Sequence, residues 1–166
     1  IPSQVGTDDL KRLGQLIDYY QVTKVVIVGD MIHAGTNREV IIFKQFTTNH
    51  LNVNFHLIKG NHDRLSTLFL ENLGVKNIGL DLILENLKFI HHPKIDPEFN
   101  TISGHLHPGI SIDLTTKKRL KLPCFVVTKH QIILPAFSKF TGLDTMTRYD
   151  KASFYAFTDE IIFKLD

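Results

Sequence analysis

The most regular feature of the chain is a series of short apolar runs, each of which stops abruptly at polar residues. The four stops are Gly29-Asp30, Gly60-Asn61-His62-Asp63, His91-His92 and Gly104-His105-Leu106-His107. Open α/β sheets place their chemistry at the carboxyl ends of their strands. These four positions are therefore the candidate functional positions, although each of them alone is ordinary turn chemistry.

Helical and strand patterns alternate in the first half of the chain. Apolar residues at helical spacing predict helices over residues 7–17, 37–48 and 65–72, the first of them starting at Thr7-Asp8-Asp9. Continuous apolar runs predict strands over residues 24–28 and 53–58. A strand–helix–strand unit of this kind places its second strand parallel to its first.

The second half of the chain has the pattern of a mostly β structure. A hairpin is predicted over residues 80–85 and 88–91, and turn residues separate the later apolar runs. Those runs predict short strands over residues 101–103, 110–114, 119–122, 125–128, 132–134, 153–158 and 160–163. With no repeat or linker between the halves, we expect an α/β fold of two packed β-sheets flanked by helices, in a single domain over residues 1–166.

Composition limits the class of protein but does not identify a substrate. The chain has 166 residues, of which 43% are hydrophobic and 22% charged, with a formal net charge of +2. The single cysteine, Cys124, excludes an internal disulfide and is expected to be a buried apolar residue. No run has the roughly 20 apolar residues that span a bilayer, and no signal peptide is visible. We therefore expect a cytoplasmic protein without a membrane partner.

The residues at the strand ends offer a mixed set of metal ligands. Asp30 has a carboxylate that can bridge two ions, Asn61 has a carbonyl oxygen, and imidazole nitrogens come from His91, His105 and His107. Oxygen and imidazole ligands together suit Mn, Fe, Zn or Ni better than Ca or Mg. Two such ions about 4 Å apart would clamp a phosphate ester and hold a bridging hydroxide.

These residues also carry a resemblance to a known superfamily. The chain resembles the calcineurin-like metallophosphoesterases, which have an α-β-β-α sandwich, in four of their five motifs. The four are Gly29-Asp30-Met31-Ile32-His33, Gly60-Asn61-His62-Asp63, His91 and Gly104-His105-Leu106-His107. A narrower resemblance is to the bacterial ligase-associated DNA damage response endonucleases, which are encoded beside a DNA ligase and a helicase. It rests on Ile1-Pro2, Leu122-Pro123-Cys124-Phe125, Leu134-Pro135-Ala136-Phe137 and Phe140-Thr141-Gly142.

The superfamily resemblance implies a role for each residue at the strand ends. Asp30 would bridge two metals, with Asn61, His91 and His105 completing one site and His107 serving the other. His91 is preferred to His92 because the superfamily's ligand follows the strand immediately. The implied catalytic residues are His62, which would contact the phosphate and aid the leaving oxygen, and Asp63, which would support it. His33 is a further candidate for orienting His62 or a ligand.

One motif of the superfamily has no counterpart in this chain. No aspartate is followed two residues later by histidine. We therefore expect the Asp-x-His strand of the superfamily to be missing at the N-terminus. If Ile1 is the first residue of the molecule, the site of His107 keeps only two protein ligands, and we then expect at most one well-bound metal and severely reduced catalysis. The chain opens on Ile1 without a methionine, so we expect either a fragment or an omitted start. A free sheet edge would also permit a homo-oligomer.

The expected function is that of a metal-dependent phosphoesterase that cleaves phosphodiester bonds in DNA, a nuclease linked to DNA repair. A metal-bridging hydroxide would attack, with two divalent ions as cofactors: manganese is expected, and iron, zinc or nickel are alternatives. Lys117, Lys118 and Arg119 are candidate contacts to nucleic acid, and functional association with a DNA ligase and helicase is expected. The alternatives are an esterase for small nucleotides, acting on diesters or monoesters, and a non-catalytic binding module with a degraded site.

Overall fold

The computed structural model describes residues 2–32, 37–114, 118–139 and 141–165, with side chains from residue 6 onwards except at position 37. The candidate residues His33 and Lys117, and Phe140 of the narrower motif, lie outside these ranges. The chain falls into two compact units, Ile1–Leu80 and Asp81–Asp166. The α/β class, with two sheets and helices, is confirmed, while the single-domain organisation stays a prediction.

The first unit alternates helices with parallel strands. Its elements are α1 (Pro2–Tyr20), β1 (Lys24–Val28), α2 (Asn37–Asn49), β2 (Asn54–Ile58), α3 (Thr67–Asn72) and β3 (Val75–Gly79). The sheet has the order β1-β2-β3, and both strand pairs are parallel. The predicted strands over 24–28 and 53–58, and their parallel pairing, are therefore confirmed.

Two details of the first unit differ from the sequence prediction. Helix α1 begins at Pro2 rather than at Thr7. Proline is favoured in the first turn of a helix, because its missing N–H has no partner there in any case. The strand β3 was not predicted, since Lys76, Asn77 and Gly79 are weak strand formers. Its pairing with the buried strand β2 overrides that weak propensity.

The core of the first unit lies between its sheet and its helices. Alternate residues of a strand point to one face of the sheet, so Phe55 and Leu57 share a face of β2. Leu57 packs with Phe43 of α2 and Leu70 of α3, and Phe55 packs with Ile17 of α1. Burying each such side chain stabilises the fold by roughly 1.5–3 kcal/mol.

The second unit consists, in its described residues, of strands and loops. The strands are β4 (Asp81–Leu84), β5 (Leu87–Ile90), β6 (Asn100–Ser103), β7 (Gly109–Asp113), β8 (Arg119–Val127), β9 (Gln131–Ile133), β10 (Ser153–Phe157) and β11 (Ile162–Leu165). Their sheet has the order β11-β10-β8-β9-β6-β5-β4, and β7 pairs with β8. The neighbours β5 and β6 are parallel, which matters for the site.

The prediction of two strands on either side of Pro123 was wrong. A single strand, β8, runs through this proline. Pro123 pairs with Gly109 of β7, and the next residue, Cys124, pairs with Ala156 of β10. Proline has no N–H to donate, and it is tolerated here because it lies where β8 changes its partner strand.

Buried small and branched residues form the core of the second unit. Cys124 and Ala156 are fully buried, and Val126 and Ile133 pack with them. Burial raises the pKa of the Cys124 thiol to about 11, so the thiol is neutral near pH 7. This confirms that the cysteine is a buried apolar residue. In the described parts of the chain, no helix combines the length and the hydropathy needed to cross a bilayer.

The buried residue His56 predicts how the stability of the protein depends on pH. His56 is 8% exposed, and its Nδ1 atom has no hydrogen-bond partner among the described residues. Burial, and secondly the charge of Lys24, lower the pKa of His56 in the folded chain. Histidine in an unfolded chain has a pKa of about 6.5. Below that pH the unfolded state therefore binds a proton that the folded state does not, so the stability of the fold decreases as the pH decreases.

We expect the urea midpoint to fall between pH 7 and pH 5, and to fall less in the variant His56→Gln. The matched control is His130→Gln, which removes an exposed histidine and should keep the pH dependence of the unaltered protein. An identical pH dependence in His56→Gln and the unaltered protein would contradict the assignment.

Candidate functional site

Parallel pairing brings the first two polar stops together in the first unit. Val28 at the end of β1 is in register with Ile58 at the end of β2. Asp30 and Gly60 each lie two residues beyond those positions, so they meet at the same edge of the sheet. A Cβ atom added to Gly60 would lie 2.6 Å from the backbone nitrogen of Asp30 and would also overlap the Asp30 carboxylate. Only glycine allows this close approach.

The Asp63 carboxylate ties the two turns to each other. Its Oδ2 atom accepts the backbone N–H groups of Asp30 at 2.7 Å and Gly60 at 2.9 Å, and its Oδ1 atom accepts that of Met31 at 2.9 Å. Asp63 is only 8% exposed. Hydrogen bonds to a charged acceptor are about twice as strong as neutral ones, so this buried group fixes both turns. Its contacts with the backbone show Asp63 acting as a positioning group.

The Asp30 carboxylate is itself oriented by the second turn. Its Oδ1 atom accepts the backbone N–H of His62 at 2.9 Å. The φ of Asp30 is +52°, in the left-handed region that residues with a side chain rarely adopt. Such conformations persist only where the surroundings hold them, and they cluster at functional sites. The side chains of Asn61 and His62 are exposed beside this carboxylate.

The second unit repeats this arrangement with histidines. Ile90 at the end of β5 is in register with Ser103 at the end of β6, and the two strands are parallel. Beyond them, the backbone N–H of Gly104 donates to the carbonyl of His91 at 3.2 Å. The side chain of His105 therefore meets that of His91 at this edge of the sheet. His105 has a φ of +66°, again in the left-handed region.

Three histidines of the second unit form a cluster that could hold a metal ion. The Nδ1 atom of His105 lies 3.1 Å from Nε2 of His91. The ligand atoms of His91, His92 and His105 all lie within 4.8 Å of one another. Two nitrogens bound to one ion at about 2.0–2.1 Å each, at octahedral or tetrahedral angles, are roughly 2.8–3.4 Å apart. The pair His91 and His105 fits this separation.

The loop after the histidine pair is anchored by an aspartate. Asp96 accepts a hydrogen bond from Nζ of Lys88 at 2.8 Å and from the backbone N–H groups of Glu98 and Phe99. The Lys88 bond first, and the Glu98 N–H next, lower the pKa of the Asp96 carboxyl. Since Lys88 lies on β5, the contact secures the segment that follows His92.

The structure groups the predicted site residues in three places. Asp30, Asn61, His62 and Asp63 lie on the two turns of the first unit, and His91 and His105 lie in the cluster of the second. His107 is half-buried with a φ of +48° and is not part of that cluster. His92 belongs to the cluster, although the sequence favoured His91 as the ligand. Two adjacent histidines at a strand end were the only sequence signal, and that signal could not exclude His92.

Two of the three candidate nucleic-acid contacts, Lys118 and Arg119, lie on the β7–β8 hairpin. Lys118 and Arg119 are exposed, but the guanidinium of Arg119 is paired with Asp113 at 2.8 Å. Lys121 is also exposed on β8, two residues beyond Arg119. The exposed positive charge described on this hairpin is thus carried by Lys118 and Lys121 together with the paired Arg119.

Comparison with solved structures gives six similar chains, among them a nuclease and a phosphoesterase. The nuclease MPE of Pseudomonas putida matches with a TM-score of 0.80 and 28% sequence identity, over 91% of this chain and 75% of the nuclease. The phosphoesterase Yfce of E. coli matches with a TM-score of 0.48 and 13% identity, over 93% of this chain and 84% of the phosphoesterase. No family model and no curated protein matches the chain. The likeness to the nuclease confirms the metallophosphoesterase-like fold that the motifs predict.

Removing an acceptor from Asp63 tests how the two turns are held. In Asp63→Asn an NH₂ group replaces one oxygen and faces a backbone N–H. We expect a loss of about 1–3 kcal/mol in the free energy of unfolding, measured by urea denaturation. Asp150→Asn alters an exposed aspartate and should change stability by less than about 0.5 kcal/mol. An Asp63→Asn value as small as this control's would contradict the role of the carboxylate.

Proposed function

We propose that this metallophosphoesterase-like chain is a metal-dependent phosphodiesterase that cleaves DNA. The observation that carries the proposal is the 3.1 Å approach of His91 and His105, directly beyond two parallel strands, in a chain whose fold matches that of a nuclease. We further propose that the protein works in the cytoplasm. The narrower resemblance supports a functional association with a DNA ligase and a helicase in DNA repair.

The proposed metal ligands are the residues that the motif resemblance implies. Asp30 and Asn61 would supply oxygen atoms, and His91, His105 and His107 would supply nitrogens, with His92 as a further donor. The motif resemblance and the arrangement within each unit support this set. This mixture of donors favours manganese, with iron, zinc and nickel as alternatives. Bound divalent ions would neutralise charge on the phosphate and lower the pKa of a bound water.

The residues of the first unit have distinct proposed tasks in hydrolysis. The exposed His62 would donate a proton to the leaving oxygen, the general-acid role that histidine takes most often in enzymes. The backbone N–H of His62 already orients the Asp30 carboxylate. Asp63 would act through the backbone, by holding Asp30 and the turn of His62 in place.

Hydrolysis assays with added Mn²⁺ test the function. We expect plasmid DNA and an aryl phosphodiester to be cleaved, and EDTA to abolish cleavage. Changing a group behind the metal ligands typically lowers activity about 10–100-fold. The variants Asp30→Ala and His105→Ala remove proposed ligands themselves, so they should lose more activity than that. His130→Ala, which removes an exposed histidine, is the matched control and should retain activity.

Other results of the same assays would favour the other functions. Faster turnover of an aryl phosphomonoester than of the diester and DNA would favour an esterase for small nucleotides. The absence of any hydrolysis would favour a binding module. Activity that survives EDTA, or His105→Ala as active as His130→Ala, would reject the metal centre.

The hairpin lysines predict the salt dependence of DNA binding. Each lysine that contacts a phosphate contributes about 0.9 to the slope of log K against log salt on duplex DNA. Lys118→Ala with Lys121→Ala should therefore weaken binding and lower the slope by about 2. Lys11→Ala, an exposed site on α1, controls for net charge. An unchanged slope in the double variant would reject the hairpin as a DNA contact.

A further inference from the structure

His107 has a backbone conformation that its place in the sequence disfavours. Its φ is +48°, and the next residue is Pro108. The proline ring favours an extended backbone with negative φ at the residue before it. A left-handed histidine in this position therefore needs neighbours that hold it.

Backbone hydrogen bonds hold the segment of His107 from two sides. On one side, the N–H of Asp144 donates to the His107 carbonyl at 3.0 Å, and the Gly109 N–H donates to the Asp144 carbonyl at 2.8 Å. On the other side, the Cys124 N–H donates to the Pro108 carbonyl at 3.1 Å. Asp144 thus pairs with the buried Pro108 in an isolated parallel β-bridge.

The Asp144 side chain fixes the backbone that makes this bridge. Its Oδ1 atom accepts the backbone N–H groups of Met146 at 2.8 Å and Thr147 at 3.1 Å. Its Oδ2 atom accepts the hydroxyl of Thr147. The carboxylate therefore closes the turn over residues 144–147 and sets the direction of the Asp144 peptide groups.

Close packing at Gly109 places the residue before this turn directly against the backbone of β7. A Cβ atom added to Gly109 would lie 2.9 Å from Cβ of Leu143 and 3.0 Å from the carbonyl oxygen of Leu122. The residue before Asp144 therefore rests directly on the Gly109 backbone. The hydrogen bonds and this contact together couple the 144–147 turn to the His107 segment.

We propose that Asp144 is a positioning residue for His107: its carboxylate closes the 144–147 turn, and the turn holds His107 in the left-handed conformation. The inference rests on the proposed function, in which His107 is a metal ligand. Residues that orient a ligand from behind typically change metal affinity about 10–100-fold when they are lost.

Two variants at position 144 separate this role from general stability. Asp144→Ala removes all three side-chain hydrogen bonds, whereas Asp144→Asn keeps an Oδ1 acceptor for Met146 and Thr147. In the metal-free protein, we expect Asp144→Ala to shift the imidazole ¹H–¹³C NMR signal of His107, assigned with His107→Ala. We expect Asp144→Asn to restore that signal, and Asp150→Ala, an exposed control, to leave it unchanged.

Mn²⁺ titration and a double-mutant cycle complete the test. Asp144→Ala should weaken Mn²⁺ binding about 10–100-fold. In the His107→Ala background it should add little, because coupled residues are not additive. An unmoved His107 signal in Asp144→Ala, or additive losses in the cycle, would overturn the inference. A moved signal in a protein that binds no Mn²⁺ would instead support the positioning role and reject the metal centre.

Discussion

A single buried carboxylate holds the two turns of the first unit together. Asp63 accepts the N–H groups of Asp30, Met31 and Gly60, which belong to turns about 30 residues apart in the chain. Without this acceptor, three backbone donors in a half-buried place would lose their partner, at a cost of about 1–3 kcal/mol for each unsatisfied group. The left-handed Asp30 would also lose a main support. The geometry of the carboxylate that we propose as a ligand therefore depends on Asp63.

The second unit reaches a similar result with backbone groups. Parallel strands β5 and β6 end beside each other, and the Gly104 N–H binds the His91 carbonyl. His105 follows with a left-handed backbone, as Asp30 does in the first unit. In both units, sheet pairing brings the loops together, and hydrogen bonds then hold an unfavourable φ at a residue that we propose as a metal ligand. Such conformations cluster where a side chain must point in one direction.

Much of this arrangement could be predicted from the sequence, because it depends on local patterns. Continuous apolar runs identify β1 and β2, and polar residues directly after them identify the turns. The strand β3 was not predicted, because its pairing with β2, and not its own residues, makes it a strand. The link between Asp144 and His107 was not predicted for a similar reason. Aspartate before a turn is common, and no local pattern links it to His107, which lies 37 positions earlier.

Anomalous diffraction from protein crystals soaked in Mn²⁺ tests the proposed metal centre most directly. The predicted result is an anomalous peak within ligand distance of the His91 and His105 nitrogens. Crystals with no peak at His91 and His105 would contradict the proposed centre.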